Sequence, residues 1–191
     1  MFLPKVEAET KSGNEEFTYD RSPIDFKVID FWKWSVSDLL SNATRGILAE
    51  FIVATTLGLK NNRVRDEWKT YDLITSTGIK IEVKSASYIQ SWEQKRYSKI
   101  SFSIRQTRAW EGNDNIFKGE AKRHADIYVF CLLKNKNFDT INPLKLEQWD
   151  FYVVPTIDLD KLGTQKTISL SVLKKIADAV SYNQLKNKIN L

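Results

Sequence analysis

Apolar and polar residues alternate most regularly from Ile79 onward, where Ile79, Ile81 and Val83 interleave with Lys80, Glu82 and Lys84. A period of two marks a strand with one buried face. Ser76, Thr77 and Gly78 stand just before it. A three-residue connection with glycine in third place fits a type I turn closed by a residue at positive φ. Residues Tyr71 to Ser85 therefore read as a hairpin that pairs Thr75 with Ile79 and, by extension, Asp72 with Glu82. Opposed side chains in an antiparallel pair have Cβ atoms roughly 4.5 to 5.5 Å apart, so the two acids face each other on a strand surface.

A helical pattern lies upstream. Val36, Leu40, Ala43, Ile47, Glu50, Ala54 and Leu57 follow one another in alternating steps of four and three, the stripe of an amphipathic helix. Ser35 to Asp38, just after Trp32 and Trp34, reads as its capping box, and Gly58 as its end. Glu50 interrupts the apolar stripe. An unpaired buried carboxylate costs several kcal/mol or takes up a proton, so it needs a reason to be there. Either it serves a site, or it lies at the rim of the stripe, paired with Arg45 or reaching solvent.

The remaining pattern yields strands at Asn62–Trp68, Ile100–Arg105, Trp149–Val154 and Thr167–Leu170, the third stopping at Pro155. Ile127–Leu133 is almost wholly apolar, as a central strand covered on both faces must be. Gln106–Arg123 is polar and glycine-bearing and reads as a long loop followed by a short helical turn. Ser171 is expected to cap a last helix through about Val180, with a continuation over Tyr182–Ile189. Residues 1–30 read as an arm or irregular segment, and 31–191 as a single domain. No internal repeat is visible.

Composition narrows the function. No apolar run is long enough to span a membrane and no secretory signal opens the chain. The single cysteine, Cys131, cannot form an intramolecular disulfide, which points to a reducing cytoplasm. One cysteine and one histidine, His124, exclude a zinc site of the usual kind and weaken any cysteine–histidine nucleophile. His124 itself reads as a hydrogen-bonded structural residue. The net charge is +5, and all of it falls between Lys84 and Arg123, where nine basic residues meet four acidic ones. Lys95, Arg96, Lys99, Arg105, Arg108, Lys122 and Arg123 are the candidates for contacts to a polyphosphate. Tyr88, Gln90, Trp92 and Tyr97 lie among them; they either belong to a nucleic-acid surface or fill the core.

Asp72, nine intervening residues and then Glu82-Val83-Lys84 resemble the motif of the PD-(D/E)xK nuclease superfamily. The usual proline before the first acid is replaced by Tyr71. Glu50 matches the glutamate that the first core helix of that fold sends toward the metal. The longer pattern, SDLL, TRGILAEF, IKIEVKSASYIQSW, SKISFSI, ADIYVF and WDFYVV, is similar to bacterial stand-alone proteins of the fold. The resemblance spans roughly residues 35 to 155. It implies an α/β, restriction-endonuclease-like core: a central mixed sheet flanked by helices (αβββαβ-type), with a strand and helix added at the C-terminal end. It also implies one or two Mg²⁺ or Mn²⁺ ions on Asp72, Glu82, the Val83 carbonyl and Glu50, and Lys84 orienting the attacking water. The expected activity is metal-dependent cleavage of DNA, with a possible homodimer where both strands are cut. Two alternatives stand beside it: a nuclease-fold DNA-binding module without catalysis, and an interaction domain whose basic face meets acidic partners.

Overall fold

Two short antiparallel strands, β1 (Glu16–Tyr19) and β2 (Ser22–Lys27), turn at Asp20 and Arg21, both at positive φ, and lead into helix α1 (Val28–Val36). In the computed structural model, which describes residues 3–4, 6–59, 64–67, 69–111 and 116–189, the expected N-terminal arm is thus a hairpin and a helix. Much of its apolar surface stays outside: Phe26, Phe31 and Trp34 are exposed, and no residue of α1 is fully buried.

Helix α2 (Asn42–Thr56) begins later than its pattern predicts. Val36 ends α1, and the Asp38 carboxylate accepts from the N–H groups of Leu40 and Ser41 in the turn between the helices. Ser41 is the true cap, accepting from Thr44 N at 3.3 Å. The buried face is also rotated from the expected stripe: Arg45, Ala49, Glu50, Ile52 and Val53 point inward, while Ala43 and Ile47 lie on the surface. The segment has apolar residues on most of its circumference, so packing rather than pattern selects the inner face.

Next come β3 (Leu73–Ile74), β4 (Lys80–Ser87), β5 (Ser101–Ser103), β6 (Thr107–Glu111), β7 (Ile116–Lys122), β8 (Ile127–Leu133) and β9 (Trp149–Pro155). After them stand α3 (Thr156–Asp160), β10 (Thr167–Ser169), α4 (Leu170–Ile176) and α5 (Tyr182–Ile189). Ser169, not Ser171, caps α4. The expected loop over 106–123 is largely the β6–β7 antiparallel ribbon; its centre, 112–115, lies outside the described residues. Of the strand expected at 62–68, residues 64–67 form no strand and the others are outside the described residues.

The central sheet is mixed, in the order β3-β4-β8-β9. β4 and β8 run parallel, with Ile81 opposite Ile127 and Ser87 opposite Leu133; the other pairs are antiparallel. Each sheet face carries its own core. On one, Ala49, Ile52 and Val53 of α2 and Leu185 and Ile189 of α5 pack on Ile81, Val83, Val129 and Phe151. On the other, Phe102 and Ile168 of the β5–β10 pair, with Leu159 and Leu173, cover Ala86, Phe130, Tyr152 and Val154. Burying each such large side chain stabilises the fold by about 1.5 to 3 kcal/mol. Among the described residues no helix is long and apolar enough to cross a membrane.

One detail of this sheet positions the site. β3 pairs only with Lys80 and Ile81 of β4, so from Glu82 onward the outer edge of β4 has no strand beside it among the described residues.

Candidate active site

The hairpin adopts the register its sequence predicts. Leu73 pairs with Ile81 and Ile74 with Lys80, Thr75 N donates to Ile79 O at 2.9 Å, and Gly78 closes the turn at φ +89°. Asp72 therefore stands opposite Glu82. Its N–H donates to the Ile81 carbonyl at 3.0 Å, and its Oδ2 accepts from Val83 N at 2.6 Å. The base of the hairpin is tied to the sheet through Asp126, which accepts from Lys80 N at 2.8 Å and donates its own N–H to Lys80 O at 2.9 Å.

Glu82 and Lys84 lie on one face of β4, joined by a Lys84 Nζ to Glu82 Oε1 contact of 2.5 Å. Burial pushes the Asp72 carboxyl up to about 7, reinforced by the charges of Glu82 and Glu50 and opposed by the Val83 N–H and the Lys84 ammonium. The acids share one patch of low-dielectric surface, where two adjacent carboxylates resist being charged together. Tyr128, paired with Glu82 across β4 and β8, has its phenol pushed up by burial and by that same carboxylate.

Glu50 is buried, as its place in the helical stripe requires, but its partner is neither Arg45 nor solvent. Arg65 grips it with two hydrogen bonds, Nε to Oε2 at 2.6 Å and Nη2 to Oε1 at 2.9 Å. The guanidinium is raised above its ordinary value by that bond and by the charges of Glu50, Asp72 and Glu67. Arg65 is thus a member of the site that the sequence pattern does not reveal, because the pairing spans a chain reversal with no local periodicity.

These groups define which oxygens could hold a cation. Among the described residues no three Asp, Glu, His or Cys side chains stand close enough together to hold a metal ion. Glu50 is turned toward Arg65, which leaves Asp72 and Glu82 with the Val83 carbonyl on the same strand edge. Two carboxylates and a carbonyl are hard oxygen donors, and Mg²⁺ is commonly bound by one or two carboxylates with waters and substrate oxygens completing the shell. The upward shift of Asp72 adds an electrostatic argument, since a cation between the acids relieves their repulsion.

Of the seven basic candidates, Lys95, Arg96, Lys99, Arg105, Arg108 and Lys122 are exposed, and among the described residues none of them forms an ion pair. Arg123 is different. Its side chain is fully buried, bonded to Asp160 at 2.7 Å and to the carbonyls of Ile104 and Gly163. It ties the chain after β7 to α3 and is not available on the surface. His124 bonds the Thr107 carbonyl at 2.7 Å, the structural role its position predicts. The aromatic residues divide: Tyr88 and Tyr97 receive the Lys136 ammonium over their rings, while Trp92 stands 54% exposed.

Comparison with known proteins adds one finding. The family model described as Bacteriophage T4 endonuclease IV matches residues 27–172, from the end of β2 into α4. No curated protein gives a significant match to the chain.

Proposed function

Because the chain belongs to the bacteriophage T4 endonuclease IV family, we propose that it is a metal-dependent endonuclease of DNA, of the PD-(D/E)xK type, with its chemistry on the open edge of β4. The observation that carries this reading is the opposition of Asp72 and Glu82 beside Lys84, on a register fixed by the Gly78 turn and the Asp126 anchor. A hard divalent cation, when bound, supplies Lewis-acid polarisation of a phosphodiester and a bound water that ionises near neutral pH. Asp72 and Glu82 would hold it, with the Val83 carbonyl as a third oxygen.

The chain's own residues do the rest. Lys84 stands on the same face as Glu82 and is placed to orient the attacking water and to meet the negative charge that builds on the phosphate. Arg65 neutralises Glu50 and so limits the negative charge that an incoming phosphate encounters. The six exposed cations give the substrate an attractive surface. Water attacks phosphorus in line, the P–O bond to the leaving oxygen breaks, and the proton released by the water passes to solvent or to the leaving oxygen.

The test is cleavage of closed circular DNA with Mg²⁺ or Mn²⁺ by the wild-type chain and by Glu82→Ala and Lys84→Ala. Loss of cleavage in both variants is expected. Retained DNA binding without cleavage by the wild type under any divalent ion would instead identify a binding module.

A further inference from the structure

Beyond the cleavage site, the same strand edge leads to a second polar cleft of about 380 Å³ between the start of α2 and the segment after β4. We propose that this cleft is a phosphate subsite, holding a neighbouring phosphodiester of the strand that is cut at Asp72 and Glu82; the inference rests on the nuclease reading. Its lining includes Arg45, Ser85, Ser87, Gln90, Trp92 and Lys99, and among the described residues no carboxylate contributes to it.

Arg45 is the reason to expect an anion there. The residue is 3% exposed, and its guanidinium is held entirely by neutral groups: Nη1 donates to the Leu40 carbonyl at 2.6 Å and to Gln90 Oε1 at 3.1 Å, Nη2 to Asn42 Oδ1 at 2.5 Å. Its Nε makes no hydrogen bond among the described residues. The Asp38 carboxylate acts on this guanidinium only through space, and a buried cation with no acid bonded to it is costly. The other two arginines built into the fold are each matched to a carboxylate, Arg65 to Glu50 and Arg123 to Asp160. Arg45 alone of the three lines a cleft and is bonded to no carboxylate among the described residues.

Ser87 gives a second, independent sign. It is 1% exposed, lines the same cleft, and its Oγ has no hydrogen-bond partner among the described residues. Two buried donors without a partner among the described residues, on residues that line one cleft, match a ligand that is anionic and rich in acceptor oxygens. Gln90 fixes the arrangement: its amide nitrogen donates to Ser87 O and Ser98 Oγ while its oxygen accepts from Arg45. Lys99 is exposed on the cleft's lining and adds a charge that an incoming strand can meet.

Placement selects a nucleic-acid phosphate over a free one. Ser85 and Ser87 follow Lys84 on β4 but alternate to the α2 face of the strand, so at roughly 3.3 Å per residue the cleft begins within about 10 Å of the catalytic lysine, around the strand's uncovered edge. On this reading the nucleic-acid strand passes around that edge, with one phosphate at each face.

The experiment follows the Arg45 Nε–H resonance by ¹H–¹⁵N NMR in the full chain carrying Glu82→Ala. The titrants are a short single-stranded oligodeoxynucleotide and, separately, inorganic phosphate. The proposal expects a saturable shift with the oligonucleotide, and about tenfold weaker binding in Ser87→Val and in Lys99→Ala. In the chain with Glu82 intact, the same two substitutions should raise KM and leave kcat within about twofold. Lys99→Ala alters only an exposed side chain, so it decides the matter if Ser87→Val does not fold, the subsite requiring a loss clearly larger than that of Lys95→Ala, an exposed cation outside the cleft. A shift with inorganic phosphate but not with the oligonucleotide would overturn the subsite, as would binding that both substitutions leave unchanged. Either result, with cleavage still abolished by Glu82→Ala, would leave the nuclease reading standing.

Discussion

Arg65 holds Glu50 through two hydrogen bonds, 2.6 and 2.9 Å long, and in doing so takes the helix-borne glutamate out of direct competition for a cation. Glu50 is almost buried while the Arg65 side chain is 38% exposed. Removing the arginine strands a carboxylate, whereas removing the carboxylate leaves an arginine that can turn to water. Arg65→Ala is therefore expected to destabilise the fold by about 1 to 2 kcal/mol, discounted for the exposure of the guanidinium. Adding Glu50→Gln should restore most of the loss. Urea denaturation of the two single variants and the double variant measures this coupling, and Mn²⁺ affinity should rise in Arg65→Ala as Glu50 is freed.

The Asp72 carboxyl gives the metal-free protein a pH dependence whose sign is fixed. The unfolded chain releases this proton near the ordinary carboxylate value of 3.8, the folded chain only near 7. Between those values the folded state binds more protons, so stability falls as pH rises through that window. In Asp72→Asn this decline should disappear. The variant should gain on the order of 2 kcal/mol relative to wild type between about pH 4 and pH 8. Denaturation in the presence of a chelator, at several pH values, reads the effect; parallel curves for the two proteins would refute it.

The turn that sets the register can be tested by itself. A Cβ on Gly78 would meet no atom within 4 Å, so only the positive φ of +89° opposes a substitution. Gly78→Ala is expected to cost about 1 kcal/mol, and Gly78→Asn less. Because Asp72 and Glu82 depend on this register, Gly78→Val should depress cleavage more than its change in melting temperature accounts for.

The basic candidates divide into exposed and buried positions. Lys95→Glu combined with Arg96→Glu should weaken DNA binding severalfold and flatten its dependence on salt, since each phosphate contact contributes to the slope. Arg123→Ala should lower the melting temperature instead, because its guanidinium is bonded to Asp160 and to main-chain carbonyls. Fluorescence anisotropy across a range of salt concentrations, paired with thermal melts, separates the two classes.

What the sequence made legible was local. The Tyr71–Ser85 hairpin combined a period of two with a glycine at the position its turn requires, and β8 was an apolar run bounded by polar residues, so neither needed tertiary information. The start of α2 was misplaced because Ser35–Asp38 mimics a cap, although Asp38 caps only the turn before Ser41. The β6–β7 ribbon was hidden by a polar, glycine-bearing composition that resembles a loop. Glu50 could be flagged as an anomaly, but Arg65 could not be named as its partner, since that pair depends on how the chain returns across α2. Arg123 looked like a surface cation for a similar reason. Its burial is decided by Asp160, which lies far along the chain.

The most direct measurement is the rate at which closed circular DNA is opened in Mg²⁺ or Mn²⁺ by the wild-type protein, Glu82→Ala and Lys84→Ala, purified alongside one another. Each substitution is expected to reduce the rate by at least about a hundredfold while melting temperature and DNA affinity stay near wild type. Cleavage at the wild-type rate in either variant would contradict the assignment of the chemistry to the open edge of β4.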